Sequence, residues 1–138
     1  MHLSIGIFVS FLFIFSGSVY SQNSSVIVKG ESVRRVQYGT ASFYSNKFNG
    51  RKTASGEIFS QQKMTAAHNS LPLGTYVKVT NLRNKRSVIV KINDRLHARN
   101  KRLLDLTTAA ARRLGFVKAG LARVKLEILD KKPPKPEK

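Results

Sequence analysis

Residues 75–105, TYVKVTNLRNKRSVIVKINDRLHARNKRLLD, constrain what the chain can fold into more than any other stretch. Val77 and Val79 alternate with Tyr76 and Lys78, and Val88, Val90 and Ile92 alternate with Ile89 and Lys91. A period of two is the mark of a half-buried strand, so two strands are predicted, joined by the polar turn at residues 81–86. This hairpin delivers the carboxylate of Asp94 just past the end of a rigid strand, within an Asn93-Asp94-Arg95 triplet. Loops on such a scaffold are where binding and chemistry concentrate.

The flanking segments extend the same pattern. Residues 36–44 read as a first strand, and residues 46–60, NKFNGRKTASGEIFS, as a long loop rich in Gly, Asn and Ser. A loop of that length is usually functional or disordered. Pro72 and Gly74 mark a turn before the hairpin. Residues 107–114 form a short helix, with Thr107 as N-cap, three alanines inside and Gly115 just beyond the end. Residues 121–129 close the domain, with Ala122, Val124, Leu126 and Ile128 on one face. Several short strands, one helix and no internal repeat predict a small, mostly-β barrel.

A chain of 138 residues has room for one folded domain, placed at residues 36–129. Residues 3–15, LSIGIFVSFLFIF, are apolar but short for a membrane-spanning helix, and small residues follow. Residues 1–21 are therefore read as a secretory signal peptide, residues 22–35 as a basic linker, and residues 130–138 as a disordered basic tail rich in Pro and Lys. With no Cys, disulfides, a thiol nucleophile and lipid attachment through Cys are excluded, so no stable membrane anchor is expected. The 25 Lys+Arg against 7 Asp+Glu give a net charge of +18, which draws the chain to polyanions without choosing among nucleic acid, acidic lipid and cell wall. Export makes peptidoglycan the expected polymer rather than nucleic acid.

Against this basic background the acids stand out. Glu57, in a Gly/Ser loop beside Ile58 and Phe59, is either a partly buried acid that holds a proton or a surface glutamate paired with a lysine. Asp94 is either catalytic or part of an Asx-type turn or an ion pair with Arg95. Asp105, between Leu104 and Leu106, is either a favourable charge at the helix N-terminus or a member of a site. His68 and His97 have no metal-site spacing, and no Ser-His-Asp set or phosphate-binding glycine loop is present. No metal and no cofactor are expected.

The blocks GTASFY (39–44), FNGR (48–51), TASGE (53–57), MTAAH (64–68), LPLGT (71–75), VTNL (79–82), INDR (92–95) and LDLT (104–107) run in the same order as in the rare lipoprotein A (RlpA) domain. The chain resembles that family over residues 38–129. The resemblance implies a six-stranded double-psi β-barrel with one or two short helices, an architecture shared with expansins, some endoglucanases and a membrane-bound lytic transglycosylase. It also implies an endolytic transglycosylase that cleaves peptidoglycan glycan strands lacking stem peptides and leaves 1,6-anhydromuramic ends. Glu57 and His68 match positions associated with activity in the family. Asp94 lies where the related transglycosylase keeps its acid, and Asp105 matches the aspartate that expansins place before the helix. Tyr44, Asn93, Arg95 and Thr65 are the candidate substrate-binding residues. Ser60 and the Leu96-His97 pair depart from the usual Asp and Gly-Pro of the family.

The mechanism so implied needs one carboxyl group, Asp94 with Glu57 as competitor, to protonate the departing oxygen and then accept a proton from the muramic C6 hydroxyl. His68 orients and Asp105 supports. A monomer is expected. Two other readings stand beside this one: a non-catalytic, expansin-like wall-binding module, and a basic nucleic-acid binder, which the signal segment and sparse aromatics disfavour.

Overall fold

A computed structural model describes residues 24–29 and 32–135, with side chains from residue 35 onward. Its strands are β1 (Ser24–Lys29), β2 (Ser32–Phe43), β3 (Thr65–Ala67), β4 (Tyr76–Asn81), β5 (Ser87–Asp94), β6 (Leu104–Leu106) and β7 (Ala122–Ile128), with one α-helix, α1 (Thr108–Leu114). The strand order is β1-β2-β6-β3-β5-β4-β7, and β7 pairs back onto β2. Six strands therefore close into a barrel, and β1 stands outside it. The β2–β6 and β3–β5 pairs are parallel and the other pairs antiparallel. This is the mixed, closed topology expected of a double-psi β-barrel.

The predicted hairpin is present, with Tyr76 opposite Lys91 and Thr80 opposite Ser87. Val77, Val79, Val88, Val90 and Ile92 point inward, where they meet Leu104, Leu106, Val124 and Leu126. Ile89, of the opposite parity, is exposed, as alternation requires. Helix α1 packs Ala110, Ala111 and Leu114 into the same core. The Thr107 hydroxyl accepts from the Ala110 amide, and Gly115, at φ 76°, ends the helix in the left-handed conformation that glycine adopts without steric cost.

Two segments differ from expectation. Within residues 22–35, read as a linker, Ser24–Lys29 pairs antiparallel with the first half of β2. The run Val26-Ile27-Val28 favours extended backbone, and the β2 edge ahead of its β6 contact is open to it. Residues 46–60 are ordered rather than a plain loop. A short 3-10 turn at Asn46–Phe48 is followed by a small hairpin with a bridge between Lys52 and Ile58, which buried Phe59 anchors. Residues 1–21 lie outside the described residues, and residues 131–135 carry no helix or strand.

Candidate active site

The site is built on a slip in strand pairing. Parallel β3 and β5 run in register through Thr65–Lys91 and Ala66–Ile92, after which Ala67 faces Asp94 and Asn93 is left as an extra residue. Such a bulge re-aims the side chains that follow it. Without it, Asp94 would share the inward face of Val88, Val90 and Ile92. With it, Asp94 shares the outer face of Ala67, which is also registered with Asp105 of β6, itself registered with Ser42 of β2. Asp94, Ala67, Asp105 and Ser42 thus form a row across four neighbouring strands. The backbones of Asp94 and Asp105 are two strand spacings apart, roughly 10 Å.

Asp94 is held by three donors. Its Oδ2 accepts the Tyr44 hydroxyl at 2.6 Å, and its Oδ1 accepts the amides of Ala54 at 3.0 Å and Arg95 at 2.9 Å. Tyr44 is itself fixed, with its ring against Phe59 (centroids 4.4 Å) and Phe48 (5.7 Å) and its carbonyl accepting from the Gln61 amide nitrogen at 2.8 Å. Burial, then the hydrogen bond to Asp94, then the charges of Asp94 and Asp105 push the phenol far above its ordinary range. Tyr44 is consequently a donor at any working pH. It supports the acid and has no hydroxyl proton left to offer a ligand.

Glu57 sits beside the acid but in the opposite protonation state from the proton-holding reading. The lobe 53–57 folds over the end of β5, with the Ser55 amide on the Asn93 carbonyl at 3.0 Å, and this brings Glu57 to Lys91. Lys91 Nζ lies 2.6 Å from Glu57 Oε1, and Asn93 Nδ2 donates to Oε2 at 3.4 Å. The lysine contact lowers the glutamate pKa against a small opposing desolvation, so Glu57 is an ion at neutral pH. It is the lysine-paired alternative that the structure adopts.

His68 adjoins Asp94 through its backbone: its amide donates to the Asp94 carbonyl at 3.1 Å, and its carbonyl accepts from Arg95 Nη1 at 3.2 Å. Its ring is otherwise committed. Nδ1 accepts the amides of Ser70 and Leu71, both at 3.1 Å, which leaves the proton on Nε2, 2.9 Å from Gln37 Oε1. With the residue only 4% exposed, burial and then Arg95 lower the imidazole pKa and keep it neutral. His68 is a pin for the β3–β5 end rather than a group free to exchange protons.

Asp105 is gripped by Arg102 in a two-pronged pair, Nε to Oδ1 at 2.8 Å and Nη2 to Oδ2 at 3.0 Å. It is thus a member of the row and not a free charge at the helix start. Among the candidate binding residues, Arg95 is exposed at the site's edge and Asn93 is buried with its amide on Glu57. Thr65 is buried at the far end of β3, its carbonyl accepting the Thr107 amide, and does not join the others. Leu96 is buried and His97 exposed, with its Nδ1 accepting the Arg99 amide at 3.2 Å. Sequence reasoning missed Lys91, Arg102, Gln37 and Gln61. Only Lys91 carried a signal, because alternation puts it on the outer face two residues before Asn93. Among the described residues no three His, Asp or Glu side chains gather as a metal site.

A family profile described as lytic transglycolase matches residues 36–126. Relatives named endolytic peptidoglycan transglycosylase RlpA include that of Pasteurella multocida, 49% identical over 112 residues, which are 75% of this chain and 38% of the relative. That of Pseudomonas aeruginosa is 53% identical over 92 residues, 67% of this chain and 27% of the relative. This chain therefore spans well under half the length of either. Among solved structures, an expansin of Clavibacter michiganensis superimposes with a TM-score of 0.58 at 25% identity, covering 72% of this chain and 53% of that one. The profile match over nearly all of the barrel, together with these identities, means that the chain belongs to the RlpA-like, lytic transglycolase family of double-psi β-barrels.

Proposed function

We propose that this domain is an endolytic lytic transglycosylase of the cell envelope, acting on peptidoglycan glycan strands without stem peptides, with Asp94 as its proton shuttle. The carrying observation is the Asp94 carboxylate, turned outward by a bulge and held by three donors. Both Oδ1 lone pairs are taken by amides, so proton exchange falls to Oδ2, where the Tyr44 hydroxyl leaves one lone pair open. The protonated acid gives its proton to the glycosidic oxygen as the bond to muramic C1 breaks. Positive charge grows on the sugar, and ionised Glu57 is the nearby carboxylate not consumed by the proton transfer. The C6 hydroxyl then closes onto C1, and its proton returns to Asp94. Atoms balance without water, and the acid is regenerated. The names of the curated relatives support the same activity and an envelope location.

Mass spectrometry of products from peptide-stripped glycan tests the reading. Wild-type protein is expected to release 1,6-anhydro ends, and Asp94→Asn to slow release about 10²–10⁴-fold, the usual worth of general acid–base catalysis. Glu57→Gln is expected to lower the rate less, because it removes a charge rather than the proton carrier. The resemblance to an expansin keeps a second outcome in view. Co-sedimentation with peptidoglycan and no new chain ends from wild type would make this a binding module.

A further inference from the structure

The row of outward residues does not end at Ser42. The antiparallel register with β7 ends at Ala41–Ala122, one residue before Ser42, and Leu121 immediately precedes Ala122. There an open cleft of about 460 Å³ is lined by Thr40, Arg99, Asn100, Lys101, Arg102 and Leu121. Arg102 joins the two regions, since its guanidinium fixes Asp105 and the residue also lines the cleft. At the rim, Arg123 Nη1 lies 3.4 Å from Thr40 Oγ1.

We propose that this cleft is a subsite for a free carboxylate carried on the glycan, so that the enzyme reads the charge of the muramic acid lactyl group. The inference rests on the glycan reading above and names the groups that select within it. Arg99, Lys101 and Arg123 have no carboxylate partner among the described residues, while Arg102 is held by Asp105 and keeps its Nη1 donors. A cluster of cations with a single, already neutralised acid nearby favours an anion. Leu121, 55% exposed, adds an apolar surface to that charge. A lactyl ether supplies both features, a carboxylate and a methyl group. Amide linkage to a stem peptide removes the charge and adds bulk. A glycan strand laid along the row from Asp94 crosses two strand spacings, about 10 Å, to reach Asp105 and the start of the cleft.

The cleft is held in shape by close packing. A Cβ on Gly39 would fall 2.7 Å from Leu103 Cβ, so glycine lets the 99–103 segment lie directly on β2. The Leu103 amide donates to the Thr40 carbonyl at 2.8 Å, and Asn100 Oδ1 accepts the Arg102 amide at 3.0 Å.

The test compares three substrates prepared from one glycan: peptide-free strands with native carboxylates, the same strands with carboxylates methyl-esterified, and peptide-bearing strands. Rates of anhydro-product release are measured with full-length protein and with Arg99→Gln/Lys101→Gln. Both substituted side chains are exposed, and matched thermal midpoints verify folding. Wild type is expected to prefer native over esterified strands by about tenfold, the combined worth of one or two exposed charge pairs. In the double variant the rate on native strands should fall toward the rate on esterified strands, shrinking that preference several-fold. Equal cutting of native and esterified strands by wild type, or a preference that survives undiminished in the variant, overturns the proposal. Failure of wild type to cut any of the three sinks the glycan reading and this inference together, an outcome distinct from cutting all three without preference.

Discussion

Tyr44 and His68 show how two residues of similar chemical promise are assigned different work by what touches them. Tyr44 spends its hydroxyl on Asp94, so Tyr44→Phe keeps the ring stacked on Phe59 and removes only the bond that aims the acid. A hydrogen bond to a charged group is worth about 1.5–3 kcal/mol, so kcat should fall on the order of 10- to 100-fold. KM should hold, which steady-state kinetics on peptide-free strands will show. A residue that bound sugar directly would move KM instead. For His68 the readout is stability. Its folded pKa lies below the ordinary imidazole value of 6.5, so below that pH the unfolded chain takes up a proton that the native ring refuses. The unfolded state then binds more protons, and stability falls as pH drops through 6.5 toward the lowered native value. Urea midpoints measured from pH 8 to pH 5 should decline across this window. In His68→Asn, whose Oδ1 can still accept the Ser70 and Leu71 amides, the decline should flatten.

At the level of elements, the hairpin and the helix were legible because their signals are local. Val77 to Ile92 carry a clean alternation, and Thr107 and Gly115 bracket an alanine-rich run. The bulge at Asn93 was not legible. It is a slip between parallel strands whose partners, Ala67 and Asp94, lie far apart in sequence, and no local pattern in β5 announces it. The ionisation of Glu57 was illegible for a related reason. Lys91 could be assigned to the outer face, but nothing in the sequence showed that the 53–57 lobe would fold back onto it. Asp105 was equally ambiguous, because Arg102 lies three residues before it but only the folded chain shows the two paired. The legible part can be tested through the cap. Thr107 is fully buried, and its hydroxyl both accepts from Ala110 and donates to the Lys63 carbonyl at 2.6 Å. Thr107→Val keeps the volume and loses both bonds. Chemical denaturation should show a loss of about 1–2 kcal/mol, the upper part of the range for a lost cap.

Over the whole molecule, the proposed function divides between a charge distribution that would hold the polymer and a site that would cut it. The chain carries +18, yet of the five acids among the described residues Asp94 and Asp105 share one row, and Glu57, paired with Lys91, lies in the lobe that folds over its Asp94 end. The net positive charge attracts polyanions, among them the anionic wall of the proposed function, over distances that salt controls. Raising ionic strength from about 0.1 M to about 1 M shortens the screening length from about 10 Å to about 3 Å. Co-sedimentation with whole peptidoglycan should therefore weaken steeply over that range. The bonds that hold Asp94 span 2.6–3.0 Å, inside even the shorter length. Turnover of short, carboxylate-esterified glycan should accordingly change little under the same salt. If salt suppressed that turnover as strongly as it suppressed wall binding, the surface field would be acting inside the catalytic step, and the division between a basic holding surface and a self-contained acidic row would be wrong.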